Sequence, residues 1–234
     1  MPLLGQVGLN TGLPVRKPKP LRSEHANPGD LVHLDVKKLG RIPDGGGWRT
    51  LGNVGRKNKK KSVPTGYSFL HSALDDQSRV VYSEILNDEK KETAAAFWHR
   101  AHAYDKSLGI TVTQVLTDNG SCYRSGHFNE ALGDIKHKYA RPYRPQTNGN
   151  IERFRRTLAF EWAYAHHYGS EQAQAATYLA SIHSYNHHRP HTGIGGKSPI
   201  DHVHNVSGKN TQPSGQKNVA LGTEVSSATF FSYP

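Results

Sequence analysis

The chain is poor in cysteine, in acids relative to bases, and in long apolar runs. A single cysteine, Cys122, excludes an intramolecular disulfide and a cysteine-built zinc cluster. No apolar stretch approaches the roughly 18 residues of a membrane-crossing helix, and Met1 to Arg22 lacks the apolar core of a secretion signal. The expectation is a soluble cytoplasmic protein with no membrane partner. No internal repeat is evident. The 19 acids face 30 lysines and arginines, which leaves a formal charge of +11 and a pI near 9.7. Such an excess favours a polyanionic partner, although charge alone does not separate DNA from RNA or a membrane surface.

What is present falls into ordered segments. Residues 1–28 are rich in Pro, Gly and basic side chains and read as a tail or linker. Leu31 to Val36 is an apolar run, read as a buried strand interrupted by Asp35. A long connection over 40–66 carries the basic run Arg56 to Lys61. Tyr67–Leu74 and Arg79–Leu86 read as two strands joined by a hairpin turn at Asp75-Asp76-Gln77-Ser78, where both acids are expected to be solvated turn formers. From Asp88 to Ser107 the period becomes helical, with Ala94, Phe97, Trp98, Ala101 and Tyr104 on one face and Asn87 or Asp88 as the cap. Thr111–Thr117 is the next strand. A short helix near 126–132 and a short strand near 137–140 follow. A Pro/Gly loop then leads into a helix capped by Thr147 or Asn148, with Ile151, Phe154, Leu158 and Trp162 as its apolar stripe. A further helix over 170–188 would bury Ala175, Tyr178, Leu179, Ile182 and Tyr185. Residues 205–234 read as a polar tail.

Three carboxylates stand at element boundaries. Asp35 ends one strand and Asp118 ends another before a Gly turn. Glu152 opens the helix beyond, 34 positions after Asp118 (152 − 118). Glu152 could equally form an ordinary ion pair with Arg156, four residues on. Three strands, helix, strand, helix, strand, helix is the order of the ribonuclease H-like fold. That is an α/β architecture with a mixed sheet of about five strands flanked by helices, in which the first and fourth strands are neighbours.

The motifs resemble the catalytic core of the integrase-like DDE transposases of bacterial insertion sequences, a core of the retroviral-integrase type. They are Leu34-Asp35-Val36-Lys37-Lys38-Leu39-Gly40, Asp75-Asp76-Gln77-Ser78-Arg79, Leu116-Thr117-Asp118-Asn119-Gly120, the segment Arg141 to Gly149 with Glu152-Arg153, and Tyr185 to His191. The resemblance covers about 25–205, with the core itself expected over 29–204. It implies DNA cleavage at transposon ends and joining of the exposed 3′ hydroxyl to target DNA. It also implies that Asp35, Asp118 and Glu152 are catalytic and hold two Mg²⁺ ions, with Mn²⁺ able to substitute. Two such ions can clamp the attacking and leaving oxygens of a phosphodiester. Arg141, Arg144, Arg153 and Arg156 would meet phosphates, while Asn119, Gln146 and Asn148 would hydrogen-bond DNA. These contacts position DNA and do not read its sequence. A homo-oligomer on paired DNA ends, in a bacterial, nucleoid-associated setting, completes what the resemblance implies.

The 15 histidines invite a zinc reading, but the Cys/His spacing of a zinc module is missing. The Tyr185–His191 segment is instead expected to pack its helix on the core. Transposases of this type usually carry an N-terminal helix-turn-helix region, whereas about 28 unpatterned residues precede the first strand here. The expectation is recognition by a separate polypeptide, or a truncated or decayed copy. Alternatives are a ribonuclease H-like nuclease without strand joining and an inactive DNA-binding remnant or regulator.

Overall fold

The computed structural model describes residues 25–47, 51–52, 66–140 and 149–206. The basic run Arg56 to Lys61, the tail from 207 and the candidate DNA contacts Arg141, Arg144, Gln146 and Asn148 lie outside the described residues.

Five strands form one sheet, β1 (Val32–Gly40), β2 (Tyr67–Asp75), β3 (Val81–Leu86), β4 (Gln114–Thr117) and β5 (Lys136–Tyr139), in the order β3-β2-β1-β4-β5. The hairpins β1–β2 and β2–β3 are antiparallel, and β4 lies parallel to both β1 and β5. Helix α1 (Lys91–Ser107) carries the crossover from β3 to β4, and α2 (Gly126–Leu132) that from β4 to β5. Beyond β5 come α3 (Gly149–Leu158), which continues as a π-helical turn over Ala159–Ala163, then α4 (Glu171–Ala176), α5 (Tyr178–His187) and α6 (Pro199–Val206). This is a ribonuclease H-like fold. Among the described residues no helix is long and apolar enough to cross a membrane.

The two-residue period of the strands divides the core between two faces. Ala73, Val32 and Leu34 pack with Phe97, Trp98 and Ala101 of α1, Phe128 of α2, and Val203 of α6. Leu70, Leu74 and Val81 pack on the other face with Ile151, Phe154 and Leu158 of α3 and Tyr178, Ile182 and Tyr185 of α5. Asn186 pins α5 to the sheet because its side chain both donates to the Val81 carbonyl (2.8 Å) and accepts from the Val81 N–H (3.0 Å). The Tyr185–His191 segment therefore does pack on the core. Tyr185 sits edge-on to Phe154 and to His191.

Several boundaries differ from expectation for local reasons. β1 runs on to Gly40 because its polar second half keeps pairing with β2 although it is no longer buried. α1 starts at Lys91, since Asp88 accepts from the Lys90 N–H (3.1 Å) and the Thr93 hydroxyl (2.5 Å) and holds the chain extended before it. Residues 111–113 lie beside the chain at Gly29 rather than in the ladder, with the Thr113 N–H on the Gly29 carbonyl at 2.8 Å. Gly29 has φ +87°, and a Cβ there would lie 2.2 Å from the Thr111 carbonyl oxygen, so only glycine permits that approach. The single helix expected over 170–188 breaks at Thr177. Leu179 is consequently 76% exposed and Ala175 is exposed, while Gln174 is buried and donates to the Ala163 carbonyl. Helix α6 was not anticipated, although Ser198-Pro199 before Asp201 is a start signal, and Ser198 Oγ accepts from the Asp201 N–H.

Candidate active site

The last paired residues of the parallel strands β1 and β4 are Leu34 and Thr117. Asp35 and Asp118 come next, so the two acids occupy neighbouring positions where the β1–β4 pairing stops: Asp118 just beyond the end of β4, and Asp35 still inside β1, opposite Ser72 of β2, rather than ending its strand as expected. Asp35 is 4% exposed. A carboxylate so buried needs a partner, and Nη2 of Arg155 on α3 forms an ion pair with its Oδ2. The same guanidinium group donates to the Val36 carbonyl at 3.3 Å. Burial pulls the Arg155 pKa down, and its Nε is buried with no hydrogen-bond partner.

Asp118 is half-buried at the turn. Its Oδ1 accepts from the Gly120 N–H at 2.8 Å, and a Cβ on Gly120 would come within 2.8 Å of that oxygen. Glycine thus lets the turn close on the carboxylate. Asn119 donates to the Ala140 carbonyl at 3.0 Å, tying the end of β4 to that of β5.

Glu152 is exposed in the first turn of α3. It precedes Arg155 by three positions, about 60° around the helix, so it lies on the flank beside the docking face. The Glu152–Arg156 ion pair does not form, and Arg153 and Arg156 are exposed. Asp35 and Asp118 are brought to neighbouring positions just past the β1–β4 pairing, but Glu152 is not gathered with them. Among the described residues no three His, Cys, Asp or Glu side chains are grouped to hold a metal ion.

Two features of the candidate site escaped the sequence reading. One is Arg155, an undistinguished member of an arginine-rich helix until its docking is seen. The other is the hairpin turn. Asp75 and Asp76 are 1% and 3% exposed, not solvated. Asp75 does form the turn, accepting from the Ser78 N–H and hydroxyl at 2.6 Å each, and it also accepts from the Gly29 N–H at 2.7 Å. Burial raises its pKa against those hydrogen bonds. Asp76 Oδ1 meets His33 Nε2 at 2.9 Å and Asn150 Nδ2 at 2.6 Å. Burial would raise the Asp76 pKa, but the hydrogen bond and charge of His33, the Asn150 amide and the Arg79 charge outweigh it and hold the group at about 2. Because Asn150 belongs to α3, the turn grips the helix two residues before Glu152.

Comparison with known proteins bears on this geometry. Residues 25–145 match the integrase core domain family, and residues 133–199 match a second integrase core domain description. No curated protein matches the chain. A solved simian T-cell lymphotropic virus intasome, in complex with the PP2A regulatory subunit B56 gamma, contains a similar chain with TM-score 0.59 and 18% identity, over 89% of this chain and 65% of that one. This protein thus spans less than two thirds of that chain. The HTLV-2 integrase catalytic core domain in complex with magnesium, in its trimeric form, is similar with TM-score 0.51 and 16% identity, over 76% of this chain and 98% of that one. At such identities the likeness concerns the fold. The family match, however, takes in over half of the 234 residues, and on that ground the chain belongs to the integrase core domain family.

Proposed function

We propose that the chain is the catalytic core of an insertion-sequence DDE transposase, which cuts DNA at transposon ends and joins the freed 3′ hydroxyl to target DNA. The observation that carries this reading is that Asp35 and Asp118 take neighbouring positions just past the last paired residues of β1 and β4, with the helix of Glu152 docked there through Arg155.

The donors suit a hard divalent cation, since all three are carboxylates and Mg²⁺ takes oxygen ligands. Asp35 fits further in being buried, with the Arg155 guanidinium group as its ion-pair partner. Asp35, Asp118 and Glu152 would hold two Mg²⁺ or Mn²⁺ ions, which when bound supply Lewis-acid polarisation of the scissile phosphate and a more acidic nucleophile. Arg155 would hold the Asp35 carboxylate in place before a cation binds. Exposed Arg153 and Arg156, with Arg141, Arg144, Gln146 and Asn148 of the preceding segment, would bind the DNA backbone. Asn119 spends one amide donor on Ala140 and contributes to DNA through what remains. Assembly as a homo-oligomer on paired ends belongs to the same proposal.

The Asp35–Arg155 pair also favours a second reading, a chain that binds DNA without cutting it. Both are tested by incubating labelled duplex carrying the flanking ends of the chain's own gene with Mg²⁺ or Mn²⁺. The transposase reading predicts cleaved strands and joined products longer than the substrate, reduced at least about 100-fold by Glu152→Gln, in line with the weight of charge stabilisation in such sites, and lost with a chelator. Cleavage without joined product would mark a nuclease. Binding without cleavage, identical in native and variant chains, would overturn the catalytic reading.

A further inference from the structure

Arg79, Asn150, Arg153, Tyr185, Arg189 and His191 line an open cavity of ≈ 240 Å³ against α3. It lies on the side of α3 away from Asp35, with Glu152 on the flank between the two. Asn150, Arg153 and Thr157 recur at spacings of three and four and form one stripe of the helix. Arg155, which reaches Asp35, is about 200° around the axis from Arg153. The body of α3 stands between the two places.

The cavity is built for negative charge. Three arginines line it, and among the described residues no acid does. Nη1 of Arg79 donates to the carbonyl and, at 3.5 Å, to Oδ1 of Asp76. Arg189 forks onto Glu161, with Nε at 2.9 Å and Nη2 at 2.8 Å from its two oxygens. Asp76 and Glu161 therefore each answer one cation. Arg153 is exposed, and no acid among the described residues pairs with it. One positive charge is left over, which is the complement of one phosphodiester. Two further facts point the same way. Arg79 is 7% exposed and has φ 69°, the one left-handed non-glycine backbone among the described residues, a conformation kept against its cost. His191 has a buried unpartnered Nε2, and its pKa is pushed down to about 4 chiefly by burial, with the charges of Arg189 and Arg79 adding to the shift.

We propose that this cavity seats a backbone phosphate of DNA other than the scissile one, clamping the duplex across α3. The inference rests on the reading that the chain works on DNA, and adds Arg79, Asn150 and Arg189 to its contact surface. A phosphate there lies across the body of α3 from Asp35, about one helix diameter, on the order of 10 Å, so it positions the strand away from that acid.

The test is metal-free binding of a labelled short duplex across a salt series. Arg153→Gln removes the surplus charge. Gly193→Asp plants an acid in the cavity lining, where an added Cβ meets nothing within 4 Å and no left-handed φ is involved. Lys106→Gln and Gly169→Asp make the same charge changes at exposed positions that do not line the cavity. Both cavity variants are expected to bind about tenfold more weakly at low salt. Arg153→Gln should also flatten the log K against log salt slope by about 1. The controls should follow the native chain. Native-like binding by the cavity variants, or an equal loss in the controls, overturns the proposal. Inorganic phosphate is titrated in parallel while the His191 ring signals are followed by NMR. A response to phosphate combined with duplex binding that ignores the cavity assigns the pocket to a free phosphate and overturns the DNA assignment. Strand joining measured on the same proteins separates the two readings. Joining by the native chain with native-like binding in the cavity variants sinks the cavity alone, while cavity-dependent binding with no joining sinks the transposase reading alone.

Discussion

Two equally buried acids of this protein shift in opposite directions, because only one of them has donors and cations around it. Asp105 at the end of α1 is 3% exposed, its Oδ2 has no hydrogen-bond partner, and burial, aided by the Asp75 charge, pushes its pKa up to about 8. Asp76 is as deeply buried but lies in a cage of donors and falls to about 2. The consequences for stability are opposite in sign. The Asp105 contribution is fully present below the ordinary carboxylate range near pH 4 and is lost as pH rises to about 8. The Asp76 contribution is present above that range and is lost as pH falls through about 2. Asp105→Asn should thus be favoured increasingly over the native chain between pH 5 and pH 8, by up to about 1.4 kcal/mol per pH unit. Thermal melts across that range check this, and parallel curves for the two proteins would contradict it. None of it was legible in the sequence, where Asp105 is one acid on an amphipathic helix and Asp76 sits in a turn motif that normally faces water. Burial of a polar residue is a tertiary fact, decided by what packs over it.

At the scale of elements, α3 is the piece on which site geometry depends. Its stripe of Ile151, Phe154 and Leu158 was readable because the helical period is local. The direction in which its arginines point was not, because that follows from how the helix is rotated against the sheet. Two polar contacts fix that rotation. Arg155 reaches Asp35 and Val36 on one strand, and Asn150 reaches Asp76 on the hairpin. Removing the second should loosen the first turn. In Asn150→Ala, amide exchange there should quicken about tenfold, the scale of a buried hydrogen bond to a charged acceptor, with little change in β2. Unchanged protection in the first turn would mean that apolar packing alone holds the helix. The same dependence on packing explains the missed break at Thr177. The residues of α4 and α5 fit one continuous helix until Trp162 Nε1 is seen donating to Thr177 Oγ1 at 2.9 Å.

For the whole molecule, strand order matters more than any single element. Placing β4 beside β1 brings Asp35 and Asp118 together from 83 positions apart (118 − 35). That order was legible because the succession of three strands, helix, strand, helix, strand, helix resembles the ribonuclease H-like fold, in which the first and fourth strands are neighbours, while the helix between β3 and β4 is long enough for a parallel crossover. Glu152 arrives from a third element, and its helix meets the sheet through an ion pair to one of the acids rather than through Glu152 itself. The account therefore requires an exchange at Asp35 in which a divalent cation takes over the charge that Arg155 answers. Crystals soaked in Mn²⁺ and examined by anomalous scattering test this most directly. The predicted result is a manganese peak bonded to Asp35 and Asp118, with the Arg155 guanidinium group withdrawn from Asp35. An Asp35–Arg155 pair that persists in saturating Mn²⁺, with no peak at the strand ends, would contradict it.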